Sequence, residues 1–263
     1  MHSRPRSKVT PDPAFYLREY FHLCLLKYLS QRLSAKGYAL KGGACLRFFH
    51  RSPRLCEDIA FDVFAEVGVD ELKAAVDGVL KSKLFLASLA AQQIPRIIAN
   101  RTKQTVMTQR WKVLLHLSDS STLQTKLEFN RKTKSVGYES GAPSAALTNH
   151  HRMTPFSVQF YGLAPAAALT IQALAADDDT AVQDLFDLHH LFFTLGVKPA
   201  DAARLTTTQE LEAAAQALEG LSCKRFKGQV LDHLTGDLHL TYADPAAFER
   251  YKSDIEETLI QQI

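Results

Sequence analysis

Apolar residues recur at helical spacing near the start of the chain and at alternating positions further on. Over 14–33 they fall three and four residues apart, which predicts an amphipathic helix, and Gly37 is a typical residue at the end of such a helix. A short apolar strand then leads through a Gly pair into a second predicted helix. Over 57–63 apolar and polar residues alternate strictly, which predicts a strand with one core face and one face of carboxylates.

The rest of the chain divides into a mixed front half and a helical back half. We expect a helix over 69–80 and strands over 111–117 and 123–129. The stretch 135–155 is rich in Gly, Pro, Ser and Asn, which predicts a loop or a seam between domains. Strand patterns mostly disappear after it, and several segments open with residues typical of helix starts. The predicted helices there are 165–176, 180–195, 208–221, 225–234 and 245–260.

These elements predict an α+β fold, with a mixed-sheet domain over 1–150 and a helical domain over 151–263 that closes over a cleft. The chain has 263 residues, 46% of them hydrophobic and 22% charged, so it can bury a substantial core. It contains no run of about 18 apolar residues, and its basic start lacks the apolar segment of a signal peptide. We therefore expect a cytoplasmic location and no membrane association.

The spacing of the cysteines and the distribution of charge indicate the state of the thiols and the kinds of ligand that the chain attracts. The 4 cysteines are scattered without zinc-like or disulfide-like spacing, which indicates reduced thiols. The net charge of +3 hides an asymmetry, because residues 1–140 carry 23 Lys and Arg against 12 Asp and Glu, whereas 141–263 carry 8 against 16. A basic front half is attractive to polyphosphate or nucleic acid, although it equally suits a solvated surface that docks on the acidic half.

Three acids and a glycine pair form the candidate chemistry. Gly42 and Gly43 stand between a predicted strand and a predicted helix, where free backbone N–H groups can bind phosphate oxygens. Asp58 and Asp62 share one face of the following strand, and Glu128 lies on another alternating strand. If these carboxylates converge, they can hold Mg²⁺ together with substrate phosphates. The alternative is an exposed strand face whose acids pair with nearby basic residues such as Lys126 or Arg131.

Four segments in order along the chain carry a resemblance to a known family. They read LKGGACLR over 40–47, RLCEDIAFD over 54–62, KLEFNR over 126–131 and DLFDL over 184–188. Together they resemble the AbiEii-type nucleotidyltransferases, toxins of bacterial abortive-infection and type IV toxin–antitoxin systems within the DNA polymerase beta-like superfamily. The resemblance implies a nucleotidyltransferase-like sheet domain followed by a helical domain.

The resemblance also implies an activity and partners. The expected reaction moves a nucleotide from a nucleoside triphosphate onto an acceptor hydroxyl, with RNA, and tRNA in particular, as the favoured acceptor. A cognate DNA-binding antitoxin and a role in phage defence are implied as well. Asp58, Asp62 and Glu128 would hold Mg²⁺, and Gly42 and Gly43 would cradle the triphosphate.

Further residues are assigned roles by their position in these motifs. Asp184 and Asp187 share a helix face and would orient the acceptor or the basic side chains around it. Arg47 and Arg54 lie between the Gly pair and the acidic strand, where cations can clamp a triphosphate, and ordinary surface charge is the equal alternative. Two weaker candidates for holding the nucleotide follow Glu128, namely Asn130 and Arg131.

The chain departs from the family pattern at five positions. Ala60 stands where the second strand aspartate is usual, and Thr170 where a helix lysine is usual. Cys56, Ala44 and Gln183 replace the usual Ser, Thr and Arg. Ala60 is either natural or introduced to silence a toxin, and the other four departures favour natural divergence. Because Ala supplies no metal ligand, the alternative function is a pseudoenzyme that binds nucleotide or RNA without turnover.

Overall fold

The computed structural model describes the chain in five stretches, which are 13–132, 137–176, 180–235, 238 and 242–263. The basic start of the chain lies outside them. The described chain forms two compact units. The first comprises Pro13–Ser52 and Cys56–Ala166, and the second includes Pro53–Leu55 and Ala167–Ile263. Within the described stretches, no helix is long and apolar enough to cross a membrane.

The first unit is built on a mixed seven-stranded sheet. Its strands are β1 (Tyr38–Lys41), β2 (Ile59–Val63), β3 (Arg96–Gln104), β4 (Thr108–His116), β5 (Thr122–Arg131), β6 (Tyr138–Gly141) and β7 (Val158–Tyr161). They lie in the order β3-β4-β5-β2-β1-β7-β6. β2 runs parallel to β5, and β1 runs parallel to β7, whereas the other neighbours are antiparallel. Strands distant in sequence therefore become neighbours at the centre of the sheet.

Helices cover the inner, apolar face of this sheet. They are α1 (Pro13–Leu29), α2 (Gly42–Phe49), α3 (Val69–Leu80), α4 (Lys83–Ala90) and α5 (Ala145–His150), and α6 (Leu163–Ala175) begins at the end of this unit. The core forms where alternation predicts it. Phe61 on β2 stacks on Phe129 of β5 with ring centroids 4.6 Å apart, and Trp111 of β4 meets Phe129 edge-on at 5.6 Å. All three side chains are almost completely buried.

The second unit is helical. Its helices are α7 (Ala181–His189), α8 (Pro199–Ala203), α9 (Thr208–Glu219), α10 (Cys223–Gln229) and α11 (Pro245–Ile260), with a π-helical turn at His190–Thr194 and a 3₁₀ turn at Leu231–His233. Several helix starts are capped as their sequences indicate. The Thr207 hydroxyl accepts a hydrogen bond from the backbone N–H of Glu210, and the Glu210 carboxylate accepts one from the backbone N–H of Thr207. α11 packs against α7 and α9 to form the core of this unit.

Most elements predicted from periodicity are confirmed. The α+β class, the helices over 69–80 and 245–260 and the central strands are present. The prediction of a loop over 135–155 is wrong in its described part, because β6 and α5 lie there; residues 135 and 136 fall outside that part. The domain boundary predicted at residue 150 stays a prediction, although the sheet itself continues to Tyr161.

Candidate functional site

The Gly pair forms the turn from β1 into α2. Gly42 has a φ of +65°, a left-handed conformation that side chains disfavour, and a Cβ there would meet nothing within 4 Å. The requirement for glycine is therefore conformational rather than steric. Lys41, the residue before α2, makes no side-chain cap, so the first-turn N–H groups of Gly42 and Gly43 lack that partner. An anion is suited to this helix start.

A row of side chains crosses the open face of the sheet next to this turn. Lys41 of β1 pairs in register with Ala60 of β2, Ala60 with Glu128 of β5, and Glu128 with Arg110 of β4. Residues paired in register project to the same face of a sheet, and neighbouring strands lie about 4.8 Å apart. The four positions therefore form one line, with a methyl group between a cation and a carboxylate.

Glu128 is the acid at the centre of this line. Arg110 donates to it from Nε at 2.8 Å and approaches from a terminal nitrogen at 2.6 Å, and the amide of Asn130 donates at 3.0 Å. Burial raises the pKa of Glu128, but the bonds from Asn130 and Arg110 outweigh it and hold this pKa below its usual range. Glu128 is therefore a fixed, ionised carboxylate.

Asp58 lies on the same face just before β2. One of its oxygens accepts from the backbone N–H of Lys126 at 2.8 Å, and the other lies 3.0 Å from the Lys126 ammonium. The side chain is 45% exposed. The structure thus brings Asp58 and Glu128 onto adjacent strands of one face, each with its own basic partner. The pairing of an acid with Lys126, which the alternative interpretation predicts, is present for Asp58.

Asp62 occupies a different environment from the one predicted. It is completely buried, lies 2.6 Å from the ammonium of Lys41, and accepts a hydrogen bond from the Tyr161 hydroxyl at 2.9 Å. The prediction that Asp62 completes a metal site with Asp58 and Glu128 stays a prediction, and in this structure the Asp62 carboxylate is engaged by Lys41 and Tyr161. Across the residues that the structure describes, no group of three His, Cys, Asp or Glu side chains is placed to hold a metal. The residues present do not fit a three-carboxylate Mg²⁺ site.

Two predicted phosphate-binding arginines are engaged inside the protein. Arg47 donates to the buried carboxylate of Glu19 at 2.6 Å and to the Ser52 carbonyl at 3.1 Å. Arg54, in the second unit, is 5% exposed and binds the side chains of Asp187 and Gln183. The assignment of both arginines to a triphosphate stays a prediction, and in this structure their donors bind protein acceptors.

The two acids of the distal motif lie on α7. Asp187 is 2% exposed and receives two hydrogen bonds from Arg54, one of them from Nε at 3.0 Å. Gln183, which replaces the usual arginine, accepts from the same guanidinium at 2.9 Å. Asp187 therefore anchors the 53–55 segment within the second unit. The role predicted for Asp184 and Asp187 toward an acceptor stays a prediction, and in this structure the Asp187 carboxylate binds Arg54.

Asn130 and Arg131 separate onto opposite faces of β5. Asn130 holds Glu128 and accepts from the Thr108 hydroxyl at 3.1 Å, so it supports the acid directly. Arg131 points to the other face and donates to backbone carbonyls, including that of Val67 at 2.6 Å. The prediction that Arg131 contacts nucleotide stays a prediction, and in this structure its guanidinium binds loop carbonyls.

Sequence reasoning missed the cations that complete the row. Lys41 adjoins the Gly pair in the quoted motif but was assigned no role, and Arg110 lies one residue before the strand predicted over 111–117. Tyr161 lies on β7, which alternation did not predict because the strand is buried on both faces. Only the register of the sheet connects these residues to Ala60 and Glu128.

A Gly-Gly turn that opens a helix beside two acid-bearing strands of a mixed sheet defines a protein of the nucleotidyltransferase fold. The model of one family, described as the nucleotidyl transferase AbiEii toxin of type IV toxin–antitoxin systems, matches residues 24–259. The chain therefore belongs to the AbiEii nucleotidyltransferase toxin family, as the four motifs predict.

The solved structure of one toxin agrees at the level of the fold. MenT4, a nucleotidyltransferase toxin of Mycobacterium tuberculosis, is similar with a TM-score of 0.58 at 13% identity, over 95% of this chain and 93% of that one. JHP933 from Helicobacter pylori has a TM-score of 0.49 at 17% identity, over 96% of each chain. No curated protein matches the chain.

Proposed function

We propose that this chain binds a nucleoside triphosphate at the turn formed by Gly42 and Gly43 and that its nucleotide transfer is impaired. The observation that carries the proposal is the position of Ala60 in the sheet. It stands between Lys41 and Glu128, at the point where a carboxylate would adjoin Glu128 on the neighbouring strand. The Gly pair of the family is retained, whereas a central acid is not.

The binding half of the proposal rests on the helix start and its neighbours. The first-turn N–H groups of α2 favour a phosphate, and the positive end of the helix dipole adds to this preference. Lys41, whose side chain is 19% exposed, and Arg110, which is 33% exposed, supply positive charge along the same line. A triphosphate would lie near cations that already have a protein partner, so we expect moderate affinity.

The impairment rests on the distance to any substitute acid. Asp62 lies two residues beyond Ala60, which is roughly 6–7 Å along a strand. It is also buried between Lys41 and Tyr161, so moving it toward the substrate would break an ion pair and a hydrogen bond. Asp62 therefore does not replace the missing carboxylate.

Active transfer is the second candidate function, favoured by the retention of Asp58 and Glu128 on adjacent strands. In that reaction an acceptor hydroxyl oxygen bonds to the α-phosphorus, pyrophosphate leaves, and the hydroxyl proton passes to a carboxylate or to water. The acceptor expected from the family is RNA, with tRNA favoured. A cognate antitoxin as partner, Mg²⁺ dependence and a cytoplasmic location belong to the same proposal.

The deciding experiment restores the acid. Purified wild type, Ala60→Asp and Ala60→Asn are incubated with labelled triphosphates, Mg²⁺ and total tRNA, and both nucleotide binding and label transfer are measured. We expect the wild type to bind triphosphate with little transfer, and Ala60→Asp to increase transfer at least tenfold. Ala60→Asn introduces a side chain of nearly the same size as Asp but without its charge, so it controls for packing.

Two outcomes would contradict the proposal. Wild-type transfer that equals that of Ala60→Asp and disappears in Asp58→Asn would establish an active transferase. Absence of triphosphate binding in the wild type, in a protein that melts cooperatively, would remove the nucleotide site itself.

A further inference from the structure

A cavity lies within the first unit, away from the Gly turn. Its volume is about 350 Å³, which is within the range of small-molecule sites. The cavity is bordered by α1, by the turn that follows α4 and by the end of α5. Its lining includes Tyr16, Tyr20, Gln92, His150, His151 and Arg152.

The cavity and the row through Glu128 belong to opposite faces of the sheet. α1 packs on the inner face, where His22 lies 2.7 Å from the hydroxyl of Thr125 on β5. Thr125 and Glu128 are three residues apart on one strand, so their side chains project to opposite faces. A ligand in this cavity would therefore occupy a site distinct from the proposed triphosphate site.

Four rings form a continuous wall of the cavity. Tyr16 and His150 have ring centroids 5.2 Å apart, His150 and His151 lie 4.9 Å apart at 84°, and His151 and Tyr20 lie 5.8 Å apart. His150 is exposed and Tyr16 is half-buried, so part of this wall is accessible. Such rings offer flat surfaces on which a planar heterocycle can stack.

Buried charges fix one side of this wall. The imidazole of His151 lies 2.9 Å from the carboxylate of Glu19, which also receives the 2.6 Å bond from Arg47. Burial raises the pKa of Glu19, but the bonds from His151 and Arg47 outweigh it and keep this pKa below its usual range. The negative charge of Glu19 is thus neutralised inside the protein, and the ring of His151 is held in place.

The rim of the cavity is suited to an anion. Arg152 is exposed and has a φ of +52°, a left-handed conformation that is costly for a residue with a side chain and concentrates at functional sites. Gln92 offers an amide that can bond the edge of a base. Of the described lining residues, none is acidic.

We propose that this cavity binds a nucleotide unit, with its base stacked on the rings of Tyr16 and His150 and its phosphate paired with Arg152. Rings, an amide and an arginine are the groups with which proteins hold unpaired bases. The nucleotide unit is either a free mononucleotide or an unpaired nucleotide within an RNA strand. This site goes beyond the proposed function, which concerns the triphosphate at the Gly turn.

The test uses the full-length protein with AMP, inorganic phosphate and a nine-nucleotide single-stranded RNA. Binding is measured by titration, and 8-azido-AMP is crosslinked and the labelled peptide identified. We expect label on the peptides that contain Tyr16 or His150, and at least tenfold weaker binding in Tyr16→Leu and in Arg152→Gly. Tyr28→Leu on the same helix and Arg32→Gly are the matched controls, which we expect to bind as the wild type does.

The arms of the experiment distinguish the sources of the nucleotide and the two proposed sites. RNA binding at least tenfold tighter than AMP binding supports a strand, and equal binding supports a free mononucleotide. Label confined to the Gly42 peptide overturns this proposal while supporting the triphosphate site. Label at the cavity without triphosphate binding supports the cavity site and contradicts the triphosphate site. Phosphate that binds as well as AMP, or no binding by folded protein, overturns the nucleotide assignment.

Discussion

Two pairs of acids in this protein have opposite surroundings. Asp58 and Glu128 lie on the open face of the sheet, partly exposed, each beside one basic side chain. Asp62 and Asp187 are buried and each binds a cation from a distant segment, Lys41 or Arg54.

The comparison separates acids available for chemistry from acids that hold the fold. An acid near the surface loses little by exchanging its protein partner for a substrate, because water screens the charge. A buried acid cannot exchange its partner without leaving a charge unpaired in a medium of low dielectric constant. We therefore expect the first pair to affect ligand binding and the second pair to affect stability.

The largest effect should come from Asp187→Ala. It leaves the buried guanidinium of Arg54 without its carboxylate, and removing one partner of a buried pair costs about 3–5 kcal/mol. Urea unfolding measures the loss. The double variant Arg54→Met with Asp187→Leu should recover most of it, and the exposed Asp201→Ala should stay within about 0.5 kcal/mol of wild type. If Asp187→Ala is as stable as wild type, Asp187 does not stabilise the fold and belongs with Asp58 and Glu128.

The second effect concerns Asp62. Asp62→Ala removes the acceptor of both Lys41 and Tyr161, and a buried group that loses its partner costs about 1–3 kcal/mol. Asp58→Ala should cost less than about 1 kcal/mol because its side chain is half exposed. Unfolding measurements and triphosphate titrations on both variants give the contrast. If Asp62→Ala destabilises the protein less than Asp58→Ala does, the distinction between buried and exposed acids is contradicted.

The local sequence pattern predicted most helices and strands, and it predicted which face of each central strand is buried. Alternation over 57–63 places Phe61 in the core and Asp62 on the polar face, as the structure has them. It did not predict β3, whose residues are largely exposed and so show no alternation. The buried strand β7 has no alternation for the opposite reason, because both of its faces are covered.

The local sequence pattern did not predict which side chains contact each acid. Both Asp58 and Asp62 fall on the polar face by periodicity, yet only Asp62 is buried, by Lys41 of the adjacent strand β1 and Tyr161 of β7 beyond it. Likewise Arg54 and Asp187 are 133 residues apart, and no spacing rule joins them. The family motifs predicted that these residues matter, whereas the tertiary contacts decide whether they contact a ligand or stabilise the fold.

His22 is a buried ionisable group whose partner is neutral, so its effect on stability depends on pH. Burial lowers the pKa of His22 to about 3, and its ring bonds the Thr125 hydroxyl. Between about pH 6.5 and pH 3 the unfolded chain binds a proton there that the native protein does not, so stability falls as the pH falls. At pH 5 this amounts to about 2 kcal/mol. In His22→Gln, unfolding measured from pH 7 to 5 should lose that part of the slope, and an unchanged slope would contradict a neutral His22.

The smallest effect tests whether Asp58 is available. Lys126→Met removes the ammonium beside Asp58 but retains the backbone N–H that holds the same carboxylate, so the side chain should keep its place. An ion pair this exposed contributes about 0.5 kcal/mol or less, and that contribution should vanish in about 1 M salt, where the Debye length is near 3 Å. Unfolding at low and high salt, with Lys224→Met as an exposed control, measures it. A salt-independent loss above about 1.5 kcal/mol would group Asp58 with the buried acids, because only a desolvated pair resists screening.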